Sequence, residues 1–317
     1  IYPGGVFYAK DAFEGLALVQ QLVDPAKKAA LLADLPAAVA EAEGKQARRD
    51  ELRAETRAAK AAAGATGPGV EVLATIPAPP FLGVKRLEPA EIPVREVYEC
   101  FDLKSLFRLS WGVSAEREAE FRPVLERLKE EAIERRLLVP RVAYGYFRCH
   151  REGDTLVVAD PEATSGGRRF AFPRQEAGER LCLADYFRPA EAGGDVVAFT
   201  VVTAGPVATE EGERLNKAGR YTDAYSLHGF ATQFAEALAE WLHRRIRREL
   251  GIGERQGQRF SFGYPACPDL ADQAQLCRLL GAESIGVTLT PAFQLVPEQS
   301  TSALVAHHPA AKYFSAR

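Results

Sequence analysis

The sequence predicts an α+β fold: an extended, mostly antiparallel sheet with flanking helices, preceded by a partly helical linker. Residues 141 to 204 alternate apolar and polar side chains in short runs broken by turn residues, the pattern of hairpins and not of repeated βαβ units. One long helical period follows, from about residue 226 to 250. Between residues 25 and 69 the composition shifts to Ala, Lys, Arg and Glu, and aromatic residues vanish.

In chain order, Val6 to Ala9 reads as a short strand, and Phe13, Leu16, Val19 and Leu22 recur at helical spacing over Ala12 to Leu22. One strand and one helix bury no core alone, so residues 1–24 are expected to be the end of a domain whose body lies elsewhere. The chain opens at Ile1 and has no methionine, which suggests a fragment of something longer. Residues 25–75 form the linker, with a thin apolar stripe at Leu31, Leu32, Leu35 and Val39 and a flexible stretch from Ala62 to Gly69. Gly64, Gly67 and Gly69 precede a possible strand instead of following one, which argues against a phosphate-binding loop.

The density of structure rises from about Val70, and 76–317 is expected to be the main domain. Asp102 has the position of a helix N-cap, followed by Leu103, Leu106, Phe107 and Trp111 at helical spacing. A second helix spans about Glu118 to Leu138, kinked or started by Pro123. Val142, Tyr144 and Tyr146 alternate, Glu152-Gly153-Asp154 turns, and Leu156 to Val158 returns; Phe170 and Phe172 alternate again. Asp195 to Ala204 is almost continuously apolar, as expected of a strand covered on both faces.

The long helix, Ser226 to Leu250, buries Leu227, Phe230, Phe234, Leu238, Trp241 or Leu242, and Ile246, and is closed by Gly251. Glu236 falls opposite that stripe, flanked by Glu240, His243 and Arg247, where a solvated face is the plain expectation. The segment RFSFGYPACPD, Arg259 to Asp269, reads as a structured loop whose guanidinium could hold a carboxylate with two parallel hydrogen bonds. A helix from Asp269 to Leu280, capped by Gly281, and strands at Ile285 to Leu289 and Ser302 to His307 complete the chain.

The totals bound the function. A net charge of −3 and a pI near 6.1 argue against nucleic acid, and no apolar run approaches the roughly 20 residues of a membrane span, so no membrane partner is expected. Five scattered cysteines without a CxxC pair point to cytoplasmic thiols, not to a metal site or disulfide framework. His307 and His308 lack a ligand partner at metal spacing. No nucleophile elbow, HExxH or Walker loop occurs, so the residues alone stop at a soluble domain with a carboxylate-binding arginine.

Four separated blocks go further: the FLGV segment leading to Asp102; VVAFTVVTAG at 196–205; FAEALAEWLH at 234–243 with RFSFGYPACPD after it; and LTPAFQLVPEQSTSALVAHHPAAKYF at 289–314. In order and spacing they resemble the C-terminal activation domain of cobalamin-dependent methionine synthases, over roughly residues 80 to 315. The first 22 residues resemble the end of the cobalamin-binding domain that precedes it in that family; the histidine motif DxHxxG is absent, and the family's zinc belongs to domains further upstream. The resemblance implies a helmet-like fold that binds S-adenosylmethionine and supports reductive remethylation of cobalamin, with a flavodoxin-like reductant and the cobalamin domain as partners.

Carried over position by position, Asp102 matches the aspartate that takes the ligand's ammonium and Arg259 the arginine that grips its carboxylate. Ser261 falls where the backbone meets the adenine. Tyr313 and Phe314 match paired aromatics, more usually Tyr-Tyr, and Glu236 matches an acidic position near the ligand. No general base is implied, since the cofactor carries the chemistry, and no catalytic or metal residue is assigned. The linker would let the domain approach the corrin in one state and withdraw in another. An interaction module that docks flavodoxin and the cobalamin domain without a nucleotide is the alternative. A free-standing methyltransferase would need a base and a substrate pocket that the sequence does not offer.

Overall fold

A computed structural model of the chain describes residues 12–33, 70–160 and 167–316, with isolated positions at 7, 36, 40, 44 and 48. The chain divides into two units, Ile1–Ala65 and Thr66–Arg317. In the first, helix α1 (Ala12–Val23) ends at a bend, and residues 25–33 are helical again. Asp24 marks the restart: its carboxylate accepts from the backbone N–H groups of Ala26 and Lys27 at 3.0 and 3.3 Å, satisfying donors that a helix start leaves open. The strand expected at Val6 to Ala9 and most of the linker lie outside the described residues.

The second unit is built on a seven-stranded antiparallel sheet, ordered β4 (Arg168–Ala171), β3 (Thr155–Val158), β2 (Arg141–Glu152), β5 (Asp195–Thr203), β9 (Ser300–Ala306) and β6 (Gln258–Ser261), with β1 (Gly83–Leu87) also pairing with β2. The hairpin of β2 (Arg141–Glu152) and β3 (Thr155–Val158) turns at Gly153-Asp154, with Gly153 at φ 58°. β4 is Arg168–Ala171 and β5 is Asp195–Thr203. Every residue of β5 is buried, because alternate side chains enter different cores. Val196, Ala198 and Val202 join Tyr144, Tyr146 and the helices on one face; Val197, Phe199 and Val201 join Phe147, Phe170 and Phe260 on the other.

Helices α2 (Val94–Tyr98), α3 (Leu103–Ser105), α4 (Glu118–Glu134), α5 (Val207–Lys217) and α6 (Tyr221–Glu249) follow the chain around the first core. α3 runs straight into a π-turn at Leu106–Ser110. Pro123 lies inside α4, in its second turn, where it has no N–H to give the Ala119 carbonyl, so the helix runs through the proline instead of starting at it. The expected apolar stripe of α6 is buried in full, but the helix starts five residues earlier than Ser226, at Tyr221. Ser226 and Gly229 are buried too: Trp111 lies on the helix there, and a Cβ on Gly229 would meet its ring at 2.7 Å. The Trp111 indole N–H donates to the Ser226 carbonyl at 3.0 Å.

Further boundaries depart from the sequence reading. The residues after Gly257 form a strand, β6 (Gln258–Ser261), so Arg259 sits on a sheet edge and not in a loop. Helix α7 begins at Asp272, because Asp269 spends its carboxylate on the Ala271 N–H in a turn. Ile285 closes a 3₁₀ turn, and only Thr288–Leu289 forms a short strand, β7, paired with β8 (Leu295–Val296). The last strand, β9, is Ser300–Ala306.

Candidate functional site

The site is assembled where β6 meets α6. Gly257 lets β6 enter the sheet: at φ 77° its missing Cβ would lie 2.6 Å from the Ala306 carbonyl oxygen. Register then fixes which side chain goes where. Phe260 pairs with Leu304 and both sink into the second core; Arg259 pairs with Val305, which belongs to the helix-side core. Arg247 of α6 clamps this entry by donating to the carbonyls of Gln256 and Gly257 at 2.8 and 3.1 Å.

On that face the Arg259 side chain is 13% exposed, and its Nη2 donates to Glu236 Oε2 at 3.0 Å. Its Nη1 is buried and has no hydrogen-bond partner among the described residues. A charged donor left in this state costs about 1–3 kcal/mol until something accepts from it. Glu236, expected on a solvated face, is therefore the arginine's partner, although its side chain stays 40% exposed. One turn on, Glu240 lies 3.6 Å from buried His243. Burial pushes the His243 pKa down, against the hydrogen bond to Glu240, so the ring stays neutral beside Arg247 and Arg259.

The C-terminal aromatics lie over the strand. Tyr313 packs on Phe260, 5.6 Å between ring centres, and leaves much of its ring open to solvent. Burial raises its hydroxyl pKa, while the Arg259 charge pulls the other way. Phe314 packs against Phe260 and Tyr186 at 6.4 Å each, among apolar neighbours. Ser261 is buried, and its carbonyl accepts from the Cys267 thiol at 2.9 Å, while the Cys267 N–H closes the Gly263-to-Cys267 turn on Tyr264. Ser261 and Tyr264 line a cleft of about 630 Å³ that continues past the end of β6, with Gln273, Thr290 and Ser300 opposite.

Asp102 is placed differently. It caps α3, accepting from the Ser105 N–H at 3.1 Å and the Ser105 hydroxyl at 2.6 Å. Those bonds hold its carboxyl below the usual range. Among the described residues no hydrogen bond or ion pair joins it to Arg259. Both are nonetheless referred to α6. Phe101 packs on Phe230 and Phe234, Trp111 packs on Gly229, and Arg259 is held by Glu236. Sequence reasoning missed the Trp111–Gly229 contact, whose one visible signal was a glycine inside a strong helical period.

The profile of the family described as vitamin B12-dependent methionine synthase, activation domain, matches residues 112–317. This chain belongs to that family. The activation-domain match begins ten positions after Asp102, while the curated relatives extend across nearly all of the chain. Methionine synthases of Mycobacterium tuberculosis (strain ATCC 25618 / H37Rv) and Mycobacterium leprae (strain TN) are each 37% identical over 99% of it. The chain spans 30% of the length of each. A crystal structure of the MetH reactivation domain bound to AdoHcy shares the fold, with a TM-score of 0.68 and 24% identity over 76% of this chain and 83% of that one.

Proposed function

We propose that this activation domain binds S-adenosylmethionine, with Arg259 holding the α-carboxylate and Asp102 the α-ammonium, and that it serves the reductive remethylation of cobalamin in a methionine synthase. The observation that carries this reading is the buried, unpartnered Nη1 of Arg259 beside an engaged Nη2, a guanidinium with one half of its fork still owed an acceptor. A carboxylate supplies that acceptor. Asp102 is exposed, and its two bonds to Ser105 leave lone pairs for an ammonium. Tyr313 offers an open aromatic face to a sulfonium, attractive to the cation and unable to capture its methyl. Ser261 and the adjoining cleft suit the nucleoside end. The named AdoHcy of the related reactivation domain is the same ligand chemistry without the methyl.

Cobalamin, held by the upstream domain, supplies the methyl-accepting nucleophile, and a flavodoxin-like protein supplies the electron. Residues 1–24 then belong to the cobalamin domain's end and 25–75 to the linker that lets 76–317 approach and withdraw, in the cytoplasm. Among the described residues no helix is long and apolar enough to cross a membrane. Exposed Leu109, Tyr221 and Tyr225 favour a docking role as a second reading. Calorimetric titration with S-adenosylmethionine separates the two. Heat from the wild-type chain that disappears in Arg259→Ala supports the proposal; a silent wild type leaves the docking module.

A further inference from the structure

We infer that Glu236 is a built-in competitor for the carboxylate site: in the free protein it occupies Arg259, and a ligand carboxylate must displace it. The inference rests on the proposed role of Arg259. Glu236 Oε2 takes Nη2 at 3.0 Å, one of the two nitrogens a bidentate ligand carboxylate would use, while Nη1 has no partner among the described residues. One carboxylate oxygen thus satisfies half of a fork that a bidentate ligand would satisfy completely.

The neighbours explain why Glu236 is the side chain that yields. Glu240, one turn further along α6, is tied by Arg244 at 3.2 Å and by His243. Arg247 is committed to the carbonyls of Gln256 and Gly257. Among the described residues Glu236 has a single ion-pair partner, and it keeps 40% of its side chain in solvent, so it can swing out at little cost. Arg259, 13% exposed and on a paired strand, stays where it is. The pair masks the guanidinium from weak anions and keeps its buried charge compensated while no ligand is bound. Release of Glu236 also frees an acid beside the incoming zwitterion.

The test is titration of the full chain and of Glu236→Gln with two probes, S-adenosylhomocysteine, which carries the amino-acid group, and 5′-methylthioadenosine, which lacks it. If the pair closes the site in about four-fifths of molecules, Glu236→Gln binds S-adenosylhomocysteine about five-fold tighter, with the gain in association rate, and 5′-methylthioadenosine unchanged. Weaker or unchanged binding of S-adenosylhomocysteine by Glu236→Gln overturns the inference, and weakening makes Glu236 a direct ligand contact. Equal tightening of both probes overturns it too. Binding of S-adenosylhomocysteine by neither protein removes the Arg259 reading itself, an outcome distinct from the others.

Discussion

Arg259 and Asp102, the two proposed anchors, carry opposite charges and are set in opposite ways. Arg259 stands on a strand inside a ladder, largely buried, with Glu236 on one nitrogen and Arg247 bracing the turn that precedes it. Asp102 stands exposed at the start of a three-residue helix that runs into a π-turn, held by local bonds to Ser105. A cation held by long-range packing is preformed. An acid held by a local cap depends on its segment being pressed against α6 by Phe101 and Trp111. In the proposed binding mode the first would supply most of the binding free energy, and the second would set orientation.

The sharpest way to break that contrast is Arg259→Ala, expected to weaken S-adenosylmethionine binding by about 100-fold, the worth of a buried charge-assisted pair. Arg259→Lys keeps the charge but not the fork and is expected to recover little of it in the same calorimetric assay. Asp102→Asn keeps the cap and loses the charge, so binding should fall about ten-fold with thermal stability almost unchanged. A drop in Tm as large as the affinity loss would make Asp102 a cap and nothing more.

Gly229→Ala tests the support beneath Asp102. Its Cβ collides with Trp111, so stability should fall by about 1–3 kcal/mol by chemical denaturation, with Asp102-dependent affinity falling alongside while the Arg259–Glu236 pair is untouched. The smallest effect is a control away from both anchors. Burial and the nearby Asp269 raise the Asp272 carboxyl to about 6, so its ionisation costs stability as pH rises from the ordinary carboxylate range through about 6. Asp272→Asn should raise Tm by about 2–4 °C at pH 7.5 and by much less at pH 4. Ligand binding should be indifferent to it.

The elements legible in the sequence were those whose burial is periodic. The β2–β3 hairpin, the doubly covered β5 and the stripe of α6 each carry their partners' geometry in their own residue pattern. β6 did not, because its four residues are too few to show a period and their pairing partner lies at 303–306. The start of α6 was hidden for a different reason: Ser226 resembles a cap, but packing against α5 and Trp111 extends the helix to Tyr221. The family blocks pointed to Arg259 and Glu236 separately. Their ion pair, bridging 23 positions, is a product of the sheet register and of the helix's rotation, which no local spacing encodes.

The chain has two tryptophans, and the fold puts both on α6. Trp111 lies on Gly229 beneath the Asp102 segment; Trp241 sits under Arg245, its N–H 3.4 Å from Glu96. One indole is thus wired to the softer anchor and the other to the helix itself, a signal and a reference within one spectrum. A single Trp111→Phe substitution separates their emission, so ligand-driven settling of the Asp102 segment can be followed optically, in real time, with no label attached.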